Sequence, residues 1–137
     1  TIMSDPERRN RIEALIVRWQ ERLRLQDWDI DLSSKAPHDG NPASIVYEPE
    51  NMKASIAVDA NILEQVEEPM VLHEMLELVL QELDGIFAAL LKEVPDQLHR
   101  SYQGQQEAAR HHAIHKFMSA FLGPGCVPYN ELPRLDI

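Results

Sequence analysis

The sequence predicts an α+β fold in which one helix, a three-stranded sheet and then two helices follow in chain order. Three observations carry this. Ile12, Leu15, Ile16, Trp19 and Leu23 recur at helical spacing. Trp28-Asp-Ile-Asp-Leu32 alternates strictly between apolar and polar, and two more short segments read as strands. After Pro69, apolar residues cover most of a helix circumference, the mark of a buried helix.

The first helix is expected over Pro6 to Leu25. Ser4-Asp-Pro-Glu7 has the form of a capping box, with proline tolerated in the first turn. Trp28 to Leu32 is the first strand, and Lys35 to Pro42 is a loop rich in Pro, Asp and Gly. Ala43 to Glu48 and Lys53 to Asp59 are the other two strands. Glu48-Pro-Glu-Asn51 between them suits a hairpin turn. The second helix opens at Pro69, with Glu67 and Glu68 at its positive end, and runs to Leu83, with an extension past Gly85 to Leu91 left open. The third covers Gln105 to Leu122 and ends at Gly123-Pro124; Pro95 to Gly104 reads equally as loop or first turns. Trp19 and Trp28 are expected to anchor the core at the joint between helix and strand. Residues 1–122 form one domain, and 123–137 an irregular tail.

Composition limits the function. The chain has 137 residues, 44% of them hydrophobic, enough for a core. Thirteen basic against 23 acidic residues give a net charge of −10. That argues against nucleic acid and anionic membranes as partners, since phosphate contacts need clustered Lys and Arg. No apolar run approaches the roughly 20 residues of a membrane span. The polar start, Thr1 to Asn10, is not a signal peptide. Cys126 is the only cysteine, which excludes an internal disulfide and a Cys-rich zinc site and suits the cytoplasm. It is read as a passive thiol, and His38 and His99 as solvated. Six arginines crowd the segment Arg8 to Arg24, whereas no Lys or Arg lies between Lys53 and Lys92. Docking of an acidic helix on a basic one explains this, as does a site that wants anionic ligands for a cation.

The second helix carries the chemistry. His73, Glu77, Gln81 and Asp84 form one polar stripe on an otherwise apolar helix, with Glu74 beside it. Buried ionisable groups are costly unless they pair, bind a metal or face a cleft. His73 and Glu77, at i and i+4, point the same way and can clasp one zinc ion. Glu74, about 100° round the helix, can instead act on water that a metal activates, as in HExxH metallopeptidases, where this glutamate is the general base. The second histidine of that pattern is Glu77 here. A third ligand must come from another helix, where Glu107, His111 and His115 share a face; the alternative for them is a solvent-facing stripe opposite Ala108, Ile114, Phe117, Met118 and Phe121.

These residues resemble small HExxH metallopeptidase-like domains encoded in bacteriophages and prophages, of the minimal gluzincin (zincin-like) type. The resemblance spans Ile12 to Leu122. It rests on LRLQDWDIDL at Leu23 to Leu32 and on KASIAVD at Lys53 to Asp59, similar to the family's edge strand along a cleft. It rests further on VLHEMLELVL at Val71 to Leu80, similar to the active-site helix, and on QEAARHHAIHKF at Gln106 to Phe117. The resemblance implies His73 and Glu77 as first and second ligands, Glu107 as third and Glu74 as base. It implies a peptide or protein substrate in a host cytoplasm. A His/Glu/Glu set is more anionic than His/His/Glu and favours a harder ion such as manganese over zinc. Glu77 also marks a domain that could have kept the fold and lost hydrolysis. The competing expectations are a non-enzymatic interaction or assembly protein, with an empty or structural site, and an acidic decoy for nucleic-acid-binding proteins.

Overall fold

The computed structural model describes residues 5–123. Helix α1 spans Pro6–Arg22, strands β1, β2 and β3 span Asp29–Leu32, Ala43–Glu48 and Lys53–Val58, and helices α2 and α3 span Glu67–Leu91 and His99–Leu122. The predicted class and order hold. The tail and Cys126 lie outside the described residues. None of the described helices is long and apolar enough to cross a membrane.

The cap of α1 is Asp5, whose carboxylate accepts from the Glu7 and Arg8 amides. The helix ends three residues short of Leu25 because Arg24 turns left-handed, at φ 58°. Gln20 then ties the end of α1 to the entry of β1, donating to the Leu25 and Trp28 carbonyls. Trp19 is buried and Trp28 packs half-buried against the same core.

β2 and β3 form the expected antiparallel hairpin, from Ala43↔Val58 to Glu48↔Lys53, turned through Met52 at φ 51°. β1 pairs in parallel with β3, from Asp29↔Lys53 to Leu32↔Ile56. The sheet order is therefore β1-β3-β2. This corrects one expectation: β3 is the central strand, not an edge strand. Ile56, Ala57 and Val58 are all buried, as a strand flanked on both sides requires.

α2 begins before Pro69. Its first turn holds Glu67, whose buried carboxylate receives Arg8 Nε at 2.9 Å and Arg11 Nε at 2.8 Å. Arg8 also donates to the Ala60 and Ile62 carbonyls, and Arg18 reaches Glu68 at 3.4 Å. Three of the six arginines, Arg8, Arg11 and Arg18, thus dock α1 on the acidic start of α2. α2 passes Gly85 unbroken. Its first half, through Leu78, is buried, but Leu83, Ile86 and Leu90 are about 60% exposed, so the expected burial applies to half the helix. α3 starts at His99, six residues earlier than the apolar pattern suggested, and it runs through Gly104. Ile114 and Met118 are buried, whereas Phe117 and Phe121 remain about half exposed. Phe121 nevertheless stacks at a tilt on Trp19, ring centres 5.6 Å apart.

Candidate metal centre

α2 and α3 pack side by side and run in opposite directions, which brings the polar stripe of α2 against the histidine-bearing face of α3. The donor atoms of His73, Glu77 and His111 all lie within 4.8 Å of one another. His73 is buried, and Glu77 and His111 are half-buried. These three residues could hold a metal ion. Two imidazoles and one carboxylate form a donor set common in hydrolytic zinc sites. Ligands at about 2.0–2.1 Å from a tetrahedral ion stand roughly 3.3 Å apart, so the three donors would draw closer around an ion and leave its fourth position open.

The other candidates fall around this group. Glu74 is buried, its Oε1 3.6 Å from His73 Nδ1. His115 also faces His73, ring centres 6.5 Å apart against 6.4 Å for His111. Glu107, the third ligand implied by the resemblance, stands outside the group. Its side chain is 65% exposed and lies 3.8 Å from His111. With His111 in its place the set carries one carboxylate rather than two, which removes the argument for a harder ion. His112 is exposed, and His99 is held by the Val94 carbonyl at 2.7 Å rather than solvated.

Three neighbours escaped the sequence reading as parts of the site. Arg110 Nη1 lies 3.1 Å from Glu77 Oε2 and 2.9 Å from Asp84 Oδ2, bridging two members of the acidic stripe. Gln106 donates to the other oxygen of Asp84. Tyr47, on β2, overlooks the same chain: burial raises the pKa of its phenol, and the Asp84 charge raises it further. The signal for Arg110 was available, since it precedes His111 and the facing stretch of α2 has no cation of its own. Beyond Arg110, Leu80, Leu83, Phe87 and Ala109 line an apolar cleft of about 240 Å³ between α2 and α3.

Burial pushes the Glu77 carboxyl above its ordinary 4.5, although Arg110 and then His73 pull it back. In the metal-free protein the folded state therefore holds this proton more tightly than the unfolded chain. Its contribution to stability is fully present below pH 4.5 and is lost as pH rises through the folded pKa. Glu77→Gln should remove that pH-dependent loss. Urea unfolding of both proteins with chelator, across this pH range, checks it; parallel stability curves would contradict it.

No family model matches the chain, and neither a curated protein nor a solved structure gives a significant match.

Proposed function

We propose that this chain is a metallopeptidase-like domain that binds one divalent ion, zinc being the first choice, through His73, Glu77 and His111. The observation that supports this most is the convergence of these donors from two helices, with a buried glutamate next in sequence to His73. A bound ion would supply Lewis acidity and ease the deprotonation of water. Glu74, buried beside His73, would take that proton and pass it to a leaving amine. An extended peptide would pair with the free edge of β2, not with β3, whose two edges are occupied. Tyr47 on β2 is within electrostatic reach of Asp84, Arg110 and Glu77, and the apolar cleft beside Arg110 would take a substrate side chain.

The test has two parts. Elemental analysis of protein purified without a metal-affinity tag should find about one divalent ion per chain. Glu74→Gln should keep that ion and the fold but lower peptide hydrolysis about a hundredfold, the scale for loss of a general base. Unchanged hydrolysis in this variant would remove Glu74 from the chemistry. The Arg110–Glu77 ion pair favours a second reading, a non-enzymatic interaction protein on the same scaffold, because it already neutralises the carboxylate. Protein that neither retains nor takes up zinc, manganese or another divalent ion would decide for that reading.

A further inference from the structure

β3 lies between β1 and β2, so the loop that joins them, residues 33–42, must cross β3. It crosses on the sheet face turned away from α2. The Ser33 amide donates to the Ile56 carbonyl at 2.7 Å, and the Asp59 amide donates to the Pro42 carbonyl at 2.8 Å, which ties both ends of the loop to the end of β3. Strand alternation sets Asp31, Ser44, Val46, Ser55 and Ala57 on this outer face. Asp31 and Val46 are exposed, but Ser44 and Ala57 are each only 7% exposed, because the loop covers them. Between loop and sheet lies a pocket of about 110 Å³, lined by the polar residues Ser33, Lys35, His38, Ser44 and Ser55.

We propose that this pocket binds a phosphate group, as the free ion or as a phosphate monoester. The buried Ser44 hydroxyl has no hydrogen-bond partner among the described residues, although buried polar groups are ordinarily paired. Among the same residues the Ser55 hydroxyl, the Lys35 ammonium and the His38 ring are likewise without one. The Ser33 oxygen accepts from the Lys35 amide at 3.0 Å, which leaves its proton to donate. The pocket thus offers three hydroxyls, an ammonium and an imidazole, all able to donate. No carboxylate lines it: Asp31, level with Ser55 on the same face, and Asp39, next to His38, both stay outside. A tetrahedral oxyanion presents acceptors on every side, and its charge strengthens each bond it receives. At about 110 Å³ the pocket is well below the roughly 300 Å³ at which sites for organic ligands begin, so it suits one such group. An ester chain would lead out past Lys35 and His38, which are exposed. With a net charge of −10 the chain has no general attraction for phosphate, so binding would report this pocket.

Calorimetric titration of the full chain with inorganic phosphate and with O-phosphoserine tests this, at constant ionic strength and with EDTA to keep divalent ions from binding phosphate. One equivalent of at least one compound should bind. Tighter binding of phosphoserine would identify a monoester site, and tighter binding of inorganic phosphate a site for the free ion. Ser44→Ala and Lys35→Gln should each weaken binding about tenfold, the scale of one hydrogen bond to a charged group. Lys35 is exposed, so its replacement does not threaten the fold. Lys53→Gln, which removes a lysine of the same face outside the pocket, should leave binding unchanged. Binding of neither compound would overturn the proposal. So would binding that survives both Ser44→Ala and Lys35→Gln, or that Lys53→Gln weakens equally.

Discussion

His73→Ala is expected to abolish stoichiometric metal binding while leaving the chain folded. His73 is the most buried of the three donors and the one that Glu74, His111 and His115 all approach. Loss of an outer partner of a metal ligand typically costs 10–100-fold in affinity, so loss of a ligand itself should exceed about a hundredfold. Competition against a chromogenic chelator measures this directly. Binding should also weaken as pH falls through the histidine range, because a ligand imidazole must be neutral. A His73→Ala variant that kept its full complement of metal would place the ion elsewhere. Glu107→Ala is the paired control: its exposed position outside the donor group predicts little change.

Glu67→Ala should be strongly destabilising although it removes a charged side chain and not an apolar one. The carboxylate is 2% exposed and receives Arg8 and Arg11 together. Without it, Arg8, 11% exposed, is left a buried cation with only the Ala60 and Ile62 carbonyls. Breaking one side of a buried ion pair costs 3–5 kcal/mol. Arg11 is 39% exposed and regains water, which puts the expected loss near the lower end, about 3 kcal/mol. For a chain of this size that is a fall in Tm of about 10 °C. Removing the stranded cation as well, in Arg8→Ala/Glu67→Ala, should recover part of the loss. A Glu67→Ala protein with unchanged Tm would show that apolar packing alone fixes α1 on α2.

How much was legible in the sequence depended on whether a feature was local. The β2–β3 hairpin was readable because its strands and its turn are adjacent. The partnership of His73 and Glu77 was readable because four residues make one helical turn. The position of β3 was not, since a strand's pattern does not name its neighbours, although the apolar run Ile56-Ala-Val58 was a sign of burial from two sides. The start of α3 was missed because His99 to Gly104 is mostly polar and shows no apolar period. The half-exposure of α2 was missed for a different reason. Its apolar circumference says that it seeks cover, but α1 and a sheet of short strands reach only its first half. The choice between Glu107 and His111 turns on how far α3 slides along α2, and residues one turn apart on the same face cannot reveal that.

Arg110 has a consequence for the whole centre. Its guanidinium is shared between Glu77, one of the three residues that could hold an ion, and Asp84, at the wall of the apolar cleft. An ion that took the Glu77 oxygen Arg110 holds would weaken that contact, leaving Arg110 to Asp84 and to the cleft. Conversely, a carboxylate-bearing molecule in the cleft that drew Arg110 toward itself would release Glu77 for the ion. The two events share one coupling free energy, and linkage requires that each favour the other by the same factor. With an ion at Glu77, a single arginine would make that centre and the cleft reciprocal sites rather than merely adjacent ones.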